Sequence, residues 1–131
     1  YVRPADLAVW ELFRARTSCN VLHVCDYEGP YENFDRYLDY PGQIVSAPNE
    51  VGGEPVSGAE IARRFGRPFM GGMERLGVIS SGPTGRIEEE ARAALETGPE
   101  TMILGADCTL RASTDWSNIA AATAVAHRWK R

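Results

Sequence analysis

The sequence predicts an α/β fold of about four βα units with parallel strands, which is half of a (β/α)8 TIM barrel. Three observations lead there. Short apolar runs recur near residues 20–25, 43–47, 68–72 and 101–105. Longer segments with apolar residues at helical spacing lie between them. The runs are apolar on both faces, as strands buried between layers of helices are.

From Pro4 to Arg16, Leu7, Ala8, Trp10, Leu12 and Phe13 recur roughly at helical spacing, with Asp6 and Glu11 on the polar side, so a helix is expected. "NVLHVC" then reads as the first strand. "YENFDRYLDYPG" places Tyr31, Phe34, Tyr37 and Leu38 on one stripe that Pro41 and Gly42 close, which predicts a second helix. "QIVSAP" is the second strand, and the Gly-rich "NEVGGEPVSG" reads as a βα loop leading into the helix "AEIARRFG", stopped by Gly66 and Pro68. "PFMGG" is the third strand. After the turn "SSGPTG", the segment "RIEEEARAALETG" carries Ile87, Ala91, Ala94 and Leu95 on one stripe and ends at Gly98. "TMILGADC" is the fourth strand, and the alanine-rich "DWSNIAAATAVAHRW" is the last helix.

A flavodoxin-like open sheet shares this alternation. No G-x-G-x-x-G fingerprint follows the first strand, however, and the barrel is the preferred reading. The 131 residues, 44% of them hydrophobic, suit one domain over 1–131 with no internal boundary. Neither repeats nor low-complexity tracts are visible.

The net charge of -4 and the lack of a basic, aromatic-interleaved stretch argue against nucleic-acid binding. No apolar run is long enough to span a bilayer, and no leader pattern opens the chain, so a cytoplasmic protein is expected. The first residue is Tyr rather than Met, from which we expect a fragment or a trimmed chain. Three cysteines at scattered spacing do not make a disulfide framework; reduced thiols or metal ligands are expected.

In an extended chain alternate side chains share a face, so His23 and Cys25 point to the same side of the first strand. A lone H-x-C pair is weak, because a buried cysteine packs as a small hydrophobe and a histidine is often satisfied by one core hydrogen bond. The pair gains meaning from the barrel rule that reactive groups gather at the C-terminal ends of strands. The four ends carry His23, Cys25 and Asp26; Asn49 and Glu50; Met73, Glu74 and Arg75; Asp107 and Cys108. His23, Cys25 and Cys108 would make a three-ligand site with an open position, the pattern of catalytic zinc, and thiolates with an imidazole favour zinc over magnesium or calcium. The first and fourth strands are three spacings apart, about 14 Å at ~4.8 Å each, so the site requires a curved sheet. Cys19, before the first strand, is expected merely to pack.

"NVLHVCD", "GGMERLGVISSG" and "TMILGADCTLRASTDWSNIAAA", in that order, resemble the C-terminal half of the uroporphyrinogen decarboxylase superfamily, whose members are (β/α)8 barrels. The similarity runs from Val2 to about Trp129. Within that superfamily, zinc-dependent methyltransferases that pass methyl groups from corrinoid proteins to thiols use an H-x-C pair and a distant second cysteine as ligands, and His23, Cys25 and Cys108 match that pattern. Decarboxylases instead resemble a G-N-L-D-P pattern on the third of these strands and a histidine-bearing segment on the last, where this chain has "GGMER" and "GADCTL". The arginine and aspartate that the resemblance would place in a decarboxylase site belong to the N-terminal half, which this chain lacks. His127 lies far down the final helix and reads as a surface residue.

The resemblance therefore implies Zn2+ at His23, Cys25 and Cys108, a small-molecule thiol or methyl donor as substrate, and a corrinoid protein as partner. Zinc would lower the pKa of a bound thiol and hold it as the thiolate that attacks a methyl group. Glu50, Glu74 and Arg75 are the rim candidates for support of the ligands or placement of substrate, each equally at home as a solvated charge. Asn118 resembles a family position at the start of the last helix, where Asp115 is the better cap. Two alternatives stand beside methyl transfer: tetrapyrrole decarboxylation, and a non-catalytic fragment or barrel-completing subunit. A half-barrel leaves two strand edges open, so a homodimer or a missing N-terminal half is expected.

Overall fold

A computed structural model describes residues 2–25, 29 and 31–130. The chain opens with helix α1, Arg3–Arg14, with Pro4 in its first turn and Asp6 and Arg14 set to suit the helix dipole. None of its residues is buried, and Val9, Leu12 and Phe13 are exposed. An ion pair between Arg3 and Asp39, a hydrogen bond from Tyr40 Oη to Asp6 and the packing of Trp10 hold it in place.

Strand β1 is Val21–His23 and β2 is Ile44–Ser46. The Gly-rich segment after β2 is not wholly a loop: β3, Glu50–Val51, and β4, Glu54–Pro55, pair antiparallel. Gly52 and Gly53, at φ +63° and +79°, supply the two positive φ angles that a tight two-residue hairpin requires. Helix α2, Gly58–Phe65, starts where the Ser57 hydroxyl accepts the Glu60 N–H (3.1 Å) and stops at Gly66. Strand β5, Phe69–Met73, leads to the short helix α3, Val78–Ser81, and to α4, Thr84–Thr97. Strand β6, Met102–Ala106, precedes α5, Trp116–Arg128, capped by Asp115, which accepts the Ser117 N–H (2.8 Å). His127 is exposed in the last turn, as expected. Among the described residues no helix is long and apolar enough to cross a membrane.

The four principal strands form one parallel sheet in the order β1-β2-β5-β6. Its register sets two rows of side chains on opposite faces. Leu22, Val45, Phe69 and Met102 form one row; the first three are buried, and all four pack into the apolar core with α2. A second core, between β5, α4 and α5, holds Met73, Ile87, Ala91, Leu95, Ala122 and Val125, and Met102 touches both. The other row is His23, Ser46, Met70 and Ile103, in which His23 is exposed and Ile103 is 46% exposed.

The helix expected over Tyr31 to Gly42 does not form, so among the described residues no helix follows β1, whereas one follows each of the other three strands. The segment is a run of turns, with Tyr37 N–H bonded to Phe34 O (2.9 Å) and Tyr40 N–H to Tyr37 O (3.1 Å). Two causes are visible. The Asn33 side chain accepts the Asp35 N–H (3.1 Å), a local bond that competes with the first helical turn. The Arg67 guanidinium, from the loop after α2, donates to the carbonyls of Leu38 (3.2 Å), Tyr40 (2.9 Å) and Gly42 (2.9 Å) as well as Phe65 (3.1 Å). Aromatic residues three apart still pack together, Tyr37 lying 6.1 Å from Tyr40 between ring centroids.

Arg67→Ala should therefore lower the unfolding free energy by about 2–4 kcal/mol, since it leaves several half-buried carbonyls without a charged donor. Arg67→Lys should recover less than half of that, because an ammonium cannot present the same fork. Urea unfolding of the three proteins measures this, and an unchanged midpoint in Arg67→Ala would show that the segment folds without its clamp.

Candidate metal centre

The rim where the parallel strands end brings His23, Cys25 and Cys108 together, with one ligating atom of each within 4.8 Å of the others. Cys25 lies just beyond β1, where the ladder continues through Val24 N–H to Ser46 O (2.8 Å), and Tyr31 Oη donates to the Cys25 carbonyl (2.5 Å). Cys108 lies just beyond β6. There Asp107 N–H bonds to Met73 O (2.9 Å), and the Asp107 carboxylate accepts the Arg75 N–H (2.8 Å). Both thiols are thus set on backbone still fastened to its neighbour.

The curvature that the site needs is present: Cys25 Sγ and Cys108 Sγ are 3.3 Å apart. Zinc–sulfur bonds of ~2.3 Å at the tetrahedral angle span about 3.8 Å, so a small opening of the thiol pair accommodates the ion. Cys108 is buried, Cys25 half-buried and His23 exposed, which leaves one side of the cluster open to an incoming ligand. His23 Nδ1 is 3.2 Å from the Ser46 hydroxyl on the neighbouring strand. A groove of about 650 Å³ between α1 and β1, walled by Trp10, Tyr31, Tyr37 and Tyr40, reaches His23 and Cys25.

The other rim residues separate from this cluster. Glu50 and Glu74 line a second cavity, of about 370 Å³, with Asn49, Glu90 and Asp107. Arg75 meets Asp107 through its backbone, so both residues fasten β5 to β6 at this point. Asp26 lies outside the described residues. Cys19 is exposed, which corrects the expectation that it packs; it belongs to the polar stretch before β1, where no core reaches it. Asn118 is buried and donates to Ile79 O (3.0 Å), tying α5 to α3, while Asp115 does the capping.

Two residues escaped the sequence reading. Ser46 is a lone hydroxyl in the apolar run "QIVSAP", a signal visible only once its neighbour across the sheet is known. Glu90 sits on α4, in a segment where only the apolar stripe drew attention. Burial pushes its carboxyl pKa up, the Glu74 backbone N–H that bonds to it pulls the other way, and the Glu74 charge adds to the rise. Comparison with protein-family models, with curated proteins and with solved structures finds no match to this chain.

Two predictions follow from this geometry. With chelator present, peroxide should join Cys25 to Cys108: the two thiols give up their hydrogens, one S–S bond forms at ~2.05 Å, and the peroxide leaves as two waters. Thiol titration should then find Cys19 alone, and peptide mapping that linked Cys19 to either partner would contradict the 3.3 Å approach. Glu90, whose folded pKa is raised, binds its proton more tightly in the folded state. Stability is therefore greatest when it is protonated and falls as pH rises from the unfolded value through the folded one. Glu90→Gln should unfold at higher urea than the parent at pH 7, with the gap closing as pH falls through the folded pKa and gone below ~4.3. A gap that persisted in acid would mean that charge is not its source.

Proposed function

We propose that this chain carries the zinc centre of a methyltransferase similar to the uroporphyrinogen decarboxylase superfamily, one that passes a methyl group to a small-molecule thiol. The observation that carries the reading is the convergence of His23, Cys25 and Cys108 from both ends of the sheet. Two thiolates and an imidazole suit zinc and leave a fourth position for substrate. Zinc held there supplies the positive charge that lowers the pKa of a thiol and keeps it nucleophilic at neutral pH.

The residues divide the remaining work. Electron-rich thiolate ligands favour a nucleophilic sulfur over activation of water. The open side at His23 and the groove beside Cys25 admit the acceptor, whose sulfur forms a bond to the methyl carbon as the bond to the methyl carrier breaks. We assign the carrier to a corrinoid protein that docks at the rim. Glu50 and Glu74, in the neighbouring acidic cavity, are suited to orient a polar or cationic part of a substrate. Reduced thiol ligands fit a cytoplasmic setting.

The sheet is, on this reading, the C-terminal half of a (β/α)8 barrel. β1 and β6 end the sheet on either side, and Val21 and Ile103 are exposed on them, which supports completion by a second copy or by an N-terminal half of the polypeptide.

Replacing either cysteine ligand removes a bond that the other two cannot make up. The parent should hold one zinc per chain by metal analysis, Cys25→Ala and Cys108→Ala should hold none, and Cys19→Ala should match the parent. Parent-like zinc content in Cys108→Ala would remove the chemistry from this reading and leave the fold.

A further inference from the structure

Two polar side chains are buried among the described residues, Ser46 and Asn118. Asn118 is accounted for by its bond to Ile79 O. Ser46 is 2% exposed, on a strand flanked on both sides by others, and is followed by the buried Ala47 and Pro48. A hydroxyl there costs stability unless it is bonded, and the partner of this one is the His23 ring, 3.2 Å away at Nδ1. The placement does not depend on a loop. His23 and Ser46 are partners in the parallel ladder and share a face, and Val24 N–H to Ser46 O (2.8 Å) locks that register at the same residue.

We infer that Ser46 is a positioning residue of the zinc centre proposed above: its hydroxyl holds Nδ1 of His23, so that Nε2 is the nitrogen presented to the metal beside Cys25 and Cys108. An imidazole that ligates through one nitrogen carries its proton on the other, and a partner at that second nitrogen fixes both the tautomer and the ring plane. A hydroxyl can donate or accept. With the metal at Nε2, Nδ1 bears the hydrogen and Ser46 accepts it. If the pair served only to satisfy the buried Ser46 hydroxyl, that hydroxyl would be free to donate to Nδ1, the hydrogen would sit on Nε2, and that nitrogen would be closed to a metal. The two roles therefore predict opposite tautomers.

The test combines a spectrum with affinities. Long-range proton–nitrogen correlation on zinc-loaded parent protein with labelled histidine should show Nδ1 protonated and Nε2 metal-bound. Zinc competition against a chromophoric chelator should give an affinity 10- to 100-fold weaker for Ser46→Ala, with Ser46→Thr, which keeps the hydroxyl, recovering most of the loss. The urea midpoint of zinc-free Ser46→Ala should stay close to the parent's, a result that a purely structural hydroxyl would not give. Metal found on Nδ1, or parent-like zinc affinity in Ser46→Ala, would overturn the role of Ser46 and leave the zinc centre standing. A parent that binds no zinc would overturn both.

Discussion

Phe69 is the residue around which the sheet and its helices are assembled. Its ring is fully buried, in the row that runs from Leu22 through Val45 to Met102, and it fills space that two glycines keep clear. A Cβ at Gly58, the first residue of α2, would lie 2.6 Å from the ring, and one at Gly71 would lie 2.7 Å from it. The closeness of α2 to the sheet, and the approach of the Gly71 backbone to the ring, thus depend on one aromatic side chain and two absent ones. Met102, opposite Phe69 on β6, carries the contact into the second core beneath α4 and α5.

The rim inherits its order from this packing. Ladder bonds continue past the ends of β1 and β6, through Val24 to Ser46 and Asp107 to Met73, and each cysteine of the candidate centre is the next residue along. The thiols are therefore held by backbone pairing, and their 3.3 Å approach reflects how far the packed sheet curves. Asp107, a carboxylate at the same rim, accepts the Arg75 N–H with one oxygen and keeps the β5 and β6 ends together.

The turns that replace a helix after β1 also matter to the site. An α-helix over that segment would have satisfied its own carbonyls; here Arg67 takes three of them, and its guanidinium also lies 5.9 Å from the Phe65 ring centroid. The aromatic side chains freed from a helical stripe gather instead, Tyr31 against Tyr37 at 5.2 Å between centroids, and the Tyr31 hydroxyl reaches the carbonyl of Cys25. A local failure of helix periodicity thus puts a hydrogen-bond donor beside a candidate metal ligand.

Features legible in the sequence are those that depend on near neighbours. Apolar runs and helical stripes located all four principal strands and the helices α1, α2, α4 and α5, because pleat and helix repeat within a few residues. The same two-residue period put His23 and Cys25 on one face, and the barrel rule marked Cys108 as the third group. The segment after β1 misled because its stripe was read without Asn33 and Arg67, one a local competitor and the other a donor far along the chain. Ser46 could not be paired with His23 from spacing, since the ladder register that joins them arises only when separate strands pack side by side. Sequence alone thus located the principal strands and most of the helices, and the chemical kinds of side chain at the strand ends. Tertiary structure decided which of those ends meet, because parallel register and sheet curvature are set by burial across the whole core and leave no mark in the spacing of adjacent residues.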